Sequence, residues 1–390
     1  MTLNPSSSVP KVRLISIDAL RGSAALIILL YHARVILWVG LSQTWQENQF
    51  NRINPDILLS YLSAPLKLGG LAVMLFFALS GYCIHRRGAK LLADNPNAKM
   101  EWFGFILRRI WRIYPTYIFA LILTAVVDYY LLANYSSVLG ESNISQMQNN
   151  SFSVFVASLL SLQGIVAPYF GSNGVFWTLG IIFHFYLIYP LVFIISQKYQ
   201  PINALKLSFL VSVIYLILNS IFNFVGMLPY RGAFNPIFLP YLFTWTFGFY
   251  IAEVECGRAK LPTQFKIILL ISIPLLIVIE ILGFNELIPL CSAIVFGGGI
   301  HYSVTPKGNQ FYNSYIGRYL AWIGLFSYSI FAFHVPLLLL FFYSFSPNGQ
   351  KFTSFYPVLL ISLFVIFVSY FLFLLVEKWT LQSITSNQKS

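Results

Sequence analysis

Ile17-Asp18-Ala19-Leu20-Arg21-Gly22 opens an apolar segment that closes on Tyr31-His32-Ala33-Arg34. On a helix the step from Arg21 to His32 turns through about 1100°, roughly 20° from whole turns, so the two side chains share one face about 16 Å apart. That separation is roughly half of a bilayer's hydrocarbon core. One cation therefore stands near a membrane's edge and one imidazole deep inside, along a single wall. Ionisable groups in hydrocarbon are costly, and where they persist they mark a polar pathway or a site.

The remainder of the chain matches that setting. Of 390 residues, 58% are hydrophobic and only 9% charged, mean hydropathy is +0.74, and apolar runs of spanning length recur. This excludes a soluble domain and predicts an all-α polytopic membrane protein. The runs fall at roughly 16–39, 66–86, 112–133, 176–196, 205–224, 236–254, 265–283, 286–303, 320–343 and 355–376, about ten spans in all. Ser153 to Ile165 is apolar but too short to cross, and reads as a re-entrant or interfacial helix. Lys11 and Arg13 precede the first run as in a signal peptide, but Arg21 inside the run and the lack of a small-residue cleavage site predict a retained span. The expected organisation is an N-terminal arm over 1–14, one membrane domain over 15–377 and a short tail over 378–390.

The formal net charge of +12 raises nucleic acid as a partner, but the cations fall in short loops between spans. There they act as topology signals, and the expected partners are membrane lipid or a polyanionic cosubstrate, with no nucleic acid. Arg86, Arg87, Lys90, Lys99, Arg108, Arg109 and Arg112 crowd the second loop, while the first, around Arg52, is poor in cations. Lys198, Arg258, Lys260, Lys307, Arg318, Lys378 and Lys389 continue the alternation against an opposite set of chiefly Lys67, Arg231 and Lys351. The expectation is a multi-pass protein of the cell's inner (plasma) membrane with both termini cytoplasmic. Cys83, Cys256 and Cys291 lack metal-ligand spacing and are expected to be packing residues. No metal is expected, and Gly297-Gly298-Gly299, without the lysine of a nucleotide loop, is expected to serve helix packing.

Five blocks carry a resemblance. Asp18-Ala19-Leu20-Arg21-Gly22 with His32, Phe76-Phe77-Ala78-Leu79-Ser80-Gly81-Tyr82, Arg108-Arg109-Ile110-Trp111-Arg112-Ile113-Tyr114-Pro115, Trp177-Thr178-Leu179 with His184 and Pro190, and Ser327-Tyr328-Ser329 with His334 and Pro336 follow one another in order. Together they resemble acyltransferase family three, integral membrane enzymes that O-acylate glycans. The resemblance implies acyl-CoA as donor, with a glycan or lipid-linked saccharide as acceptor and no permanently bound cofactor.

A neutral imidazole at His32 suits general-base removal of a hydroxyl proton, and the resemblance implies the same role. Arg21 can pair with Asp18 three residues earlier and still present donors to a thioester or phosphate oxygen. Arg109 and Arg112 lie at i, i+3, and two planar forks on one face suit the coenzyme's diphosphate, with Arg108 beside them. His32 and His334 lie at similar depth from the same membrane face, so they can meet across one cavity. Asp18, Ser80, Tyr82, Trp177, His184 and Tyr328 have an expected structural or orienting part.

One position departs from the family's pattern. Its mid-chain block carries an acid five residues after the tryptophan, where this chain has Ile182. Either another acid serves, with Asp18, Glu253 and Glu255 as candidates, or activity is impaired. The competing class is a transporter of acyl groups or glycolipid, which would keep the intramembrane charges without needing the Arg109 and Arg112 pair.

Overall fold

The computed structural model describes residues 14–48, 54–224 and 238–380. Lys11, Arg13, Arg52, Arg231, Lys389, most of the arm and tail, and the first residues of the expected 236–254 span lie outside them. Sixteen α-helices follow in order: α1 Ile15–Leu37, α2 Leu41–Glu47, α3 Pro55–Leu62, α4 Leu71–Asp94, α5 Trp102–Tyr135, α6 Glu141–Met147, α7 Phe152–Leu159, α8 Phe176–Tyr199, α9 Pro201–Phe224, α10 Leu242–Glu255, α11 Phe265–Leu282, α12 Ile288–Val304, α13 Pro306–Tyr312, α14 Tyr315–Gly324, α15 Ser327–Phe345 and α16 Tyr356–Leu372. The protein is thus an all-α polytopic membrane protein. Among the described residues nine helical segments are long and apolar enough to span a bilayer.

The expected span that is not among the nine, 236–254, is seen as α10, led in by a 3-10 turn over Leu239–Tyr241. With that turn its helical length is about 25 Å, short of a full hydrocarbon core. Every residue from Leu242 to Glu253 is buried. A helix apolar on all sides is one enclosed on all sides, and α10 packs against α4, α9 and α12. α7 has eight residues and ends in a turn, so the 153–165 segment does not cross, as its length implied.

Three expected boundaries need correction. The 320–343 span is two helices, α14 and α15, broken at Leu325 and Phe326. Ser327 Oγ closes the break by donating to the Gly324 carbonyl at 2.9 Å. α5 begins at Trp102, capped by Glu101, whose carboxylate accepts from Gly104 N–H at 2.8 Å. Arg108, Arg109 and Arg112 are therefore helical rather than in a loop, because long cationic side chains let a helix run on past its apolar stretch. Arg86, Arg87 and Lys90 likewise extend α4 to Asp94. The sequence reading also missed the short helices α2, α3, α6 and α13, which lack the length that makes periodicity visible.

Two helix pairs interlock backbone to backbone. A Cβ on Gly22 would meet the Leu320 carbonyl, and one on Gly324 the Asp18 carbonyl, binding α1 to α14; Gly81 against Trp245 and Gly248 against Ala78 do the same for α4 and α10. Small residues are what allow such close approach inside a membrane. Gly297 and Gly298 are a looser version, pressed by the side chains of Phe247 and Leu269. Gly81→Ala and Gly248→Ala are each expected to destabilise the fold by about 1–3 kcal/mol or more, read as a lower thermal midpoint in detergent. Gly299→Ala, where nothing lies within 4 Å of the added carbon, is expected to leave it unchanged, and equal midpoints for all three would contradict the interlock.

Candidate active site

His32 and His334 meet. His334 Nε2 lies 3.1 Å from His32 Nδ1, their ring centroids 4.9 Å apart. The register that joins them is set ten residues earlier on each helix by the Gly22–Gly324 contact, with the same sequence separation of 302 residues. Parallel α1 and the α14–α15 pair thus carry a backbone lock at one level and the histidines about 15 Å above it.

The hydrogen bonds fix the tautomers. His334 Nδ1 faces the Ile330 and Phe331 carbonyls at 3.0 and 2.9 Å, which can only accept, so Nδ1 carries the hydrogen and Nε2 of the neutral ring offers a lone pair. That lone pair faces His32 Nδ1, whose other neighbour is the Ile28 carbonyl at 3.0 Å. His32 Nδ1 is therefore the donor, and its Nε2 keeps an unprotonated lone pair. His334 orients His32, a role no pattern in the sequence could assign.

Below the histidines a cavity of about 280 Å3 opens between α1, α4, α5, α8, α15 and the end of α16. Arg21, Arg109 and Arg112 line it. Arg21 also pairs with Asp18 at 3.7 Å, and Arg109 stacks over Phe105 and Tyr186 at 5.3 and 5.7 Å. Arg108 is exposed and does not join the lining, because it lies one helical step, about 100°, from Arg109. Arg86 is bound to Glu255, Nη2 to Oε1 at 3.0 Å, away from the cavity.

The orienting candidates divide. Ser80 lines the cavity, its hydroxyl buried without a partner, while its neighbour Gly81 makes the helix contact. Tyr328 also lines it and donates to the Ile113 carbonyl at 3.0 Å. Tyr82 points elsewhere, donating to Glu255 at 2.5 Å. Trp177 packs on Phe77 and Tyr241, and His184 stacks on Phe238 with Nδ1 donating to the Gly180 carbonyl at 2.7 Å. Tyr82, Trp177 and His184 thus brace helices around the site rather than line it. Cys83, expected only to pack, lines the cavity.

Ile182 lines the cavity too, so an acid at the family's usual position would face these arginines. Of the three substitutes named from sequence, Asp18 pairs with Arg21, whereas Glu253 and Glu255 lie elsewhere. Glu253 is fully buried and accepts from Ser196 at 2.7 Å and Arg258 at 2.9 Å, with His85 Nε2 at 2.7 Å. That cluster ties α4, α8 and the end of α10 together, and His85 at its centre escaped the sequence reading. The acid that does line the cavity is Glu377. It ends a π-helical turn over Phe373–Glu377 that continues α16, accepts from Ser329 Oγ at 2.6 Å, and faces Arg112 and Arg21. Such turns re-aim side chains and recur at functional sites. Its sequence signal was only a charge at the end of the last apolar run.

The family model described as an acyltransferase domain, family three, matches residues 14–374, nearly the whole chain. The protein belongs to acyltransferase family three. No curated protein and no solved structure matches the chain. It is a membrane acyltransferase, and the cavity that stops just short of the histidine pair, together with that pair, is its candidate active site.

If Glu377 is the countercharge that Ile182 does not supply, Glu377→Gln is expected to lower acyl transfer, and adding Ile182→Glu to restore part of it, since both positions face the same guanidinium groups. A charge-assisted contact of about 1.5–3 kcal/mol sets the scale at roughly ten- to a hundredfold. Transfer per folded molecule measures both, and a double variant no better than Glu377→Gln would contradict the assignment.

Proposed function

We propose that the protein moves an acetyl group from cytosolic acetyl-CoA to a hydroxyl of a cell-surface glycan or lipid-linked saccharide, in the cell's inner membrane with both termini cytoplasmic. The observation that carries this reading is the cavity itself, with three guanidinium groups at one end and the paired histidines just beyond the other, about 16 Å apart along α1. A diphosphate at Arg109 and Arg112 would leave the coenzyme's narrow arm to run along the cavity. At about 280 Å3 the space suits that arm, and the nucleotide would remain at the mouth.

In this reading His32 Nε2 accepts the proton of the acceptor hydroxyl as its oxygen attacks the thioester carbonyl. The C–O bond forms, the C–S bond breaks, and the departing thiolate takes the proton back from His32, so that ester and free CoA thiol are the products. His334 holds His32 in the tautomer with a free Nε2 and shares the charge while the proton is on the ring. Arg21, at the coenzyme end, contacts a phosphate. Its assignment to the thioester is less compatible with the 16 Å that separate it from His32. The Lys and Arg distribution supports placing the arginine end in the cytosol.

His32→Ala is expected to lower transfer about 10²- to 10⁴-fold while extraction yield and thermal midpoint hold, and near-normal turnover would remove His32 as the base. Binding is tested separately through Cys83. CoA is expected to protect this thiol from alkylation, and Arg109→Ala or Arg112→Ala to raise the CoA concentration needed by about ten- to a hundredfold. Arg86→Ala, off the cavity, is expected to change it little. Equal effects at all three arginines would mean that the cavity does not hold the coenzyme. A carrier, by contrast, would release no free CoA thiol in the presence of acceptor.

A further inference from the structure

Phe76 and Phe331 line the cavity, but His32 and His334 do not. On α4 the cavity wall runs from Ile84 to Val73, about 16 Å. It stops about one helical turn short of Gly69, where Tyr31, the neighbour of His32, packs. On α15, Phe331 precedes His334 by one turn, and their rings lie 6.0 Å apart. Phe76 meets Phe331 edge to face at 5.6 Å and 69°. The two rings therefore stand between the space that would hold the coenzyme arm and the imidazole that would receive the proton.

We propose that Phe76 and Phe331 form an aromatic gate that opens for the acyl end of the donor and limits its length to a few carbons. This deepens the acyl-CoA reading and rests on it. The gate is easy to open on one side and rigid on the other. An edge-to-face pair is held by a weak directional contact, and Phe76 is only partly buried, so its ring can turn away from the cavity. Phe331 is 6% exposed, and its own carbonyl holds His334 Nδ1 at 2.9 Å, so moving its backbone would disturb the histidine. Behind it α15 is buried without a break from Ser329 to Leu339. The opening is then about the size of one displaced ring, room for a two-carbon acyl group next to His32. A longer chain would have to press into close-packed side chains, and interiors accommodate added methylenes poorly.

The test compares acetyl-, butyryl- and octanoyl-CoA as donors to full-length protein in the membranes of the producing cells, which supply the acceptor, with His32→Ala membranes as the blank. The native chain is expected to use acetyl-CoA at least about tenfold better than octanoyl-CoA in kcat/KM, the scale on which hydrophobic sites discriminate by size. Phe331→Ala and Phe76→Ala are expected to shrink that ratio by about tenfold or more, and the better-packed Phe331→Leu and Phe76→Leu to shrink it in the same direction. Native protein that takes octanoyl-CoA as readily as acetyl-CoA would overturn the gate, as would an unchanged ratio in the leucine variants. Native protein that consumes no acyl-CoA of any length would instead overturn the acyl-CoA reading.

Discussion

The hydrogen bond from His32 Nδ1 to His334 Nε2 leaves the structure little freedom elsewhere. It needs α1 and α15 at contact distance, and it needs both rings at one depth. It also needs the far nitrogen of His334 tied to something that cannot give up a proton. The Ile330 and Phe331 carbonyls, which can only accept, supply the last condition, while Pro336 on α15 frees the Ala332 carbonyl, which accepts from Asn173 Nδ2 at 2.9 Å. The depth is supplied by Gly22 and Gly324, whose missing side chains allow two backbones to lock in one register. Larger side chains at either position would separate the helices at the level of Asp18 and shift the imidazoles ten residues further on.

Charge imposes the second condition. Three guanidinium groups and one carboxylate line a cavity within an apolar bundle, and each would be costly against lipid. The bundle walls them in with α1, α4, α5, α8, α15 and the end of α16. Asp18 stands beside Arg21, aromatic faces flank Arg109, and Glu377 faces Arg112 from the last helix. The lining keeps an excess of positive charge, which suits an anionic ligand entering from that end. Toward the C-terminal ends of α4, α8 and α10 a separate buried cluster, His85, Glu253, Ser196 and Arg258, satisfies its own charges apart from the cavity lining.

How much of this was legible follows from the range of each interaction. The helical period places Arg21 and His32 on one wall from residue spacing alone, and hydropathy places the long helices. The motif blocks indicate the family. Contacts that depend on two distant segments had no such signal. Glu377 lies 48 residues from the serine it binds, His85 lies 168 from Glu253, and neither pair has a period to betray it. Arg108 and Arg109 are adjacent in the motif, yet about 100° of helix rotation separates exposed cation from cavity wall. The split of the expected 320–343 span hid because both halves are apolar, and hydropathy carries no signal for a break closed by one serine hydroxyl on the Gly324 carbonyl. Ile182 looked like a defect in sequence, where the acid that faces the same space from the other side could not be seen.

The most direct measurement is a cryo-EM structure of the full chain with a nonhydrolysable acetyl-CoA analogue in which carbon replaces the thioester sulfur. The account predicts the diphosphate against Arg109 and Arg112, the arm along the cavity, and the acetyl carbonyl beside His32 Nε2 with the Phe76 ring turned away. Coenzyme bound outside the cavity, or an acetyl end more than one helical turn from His32, would contradict it.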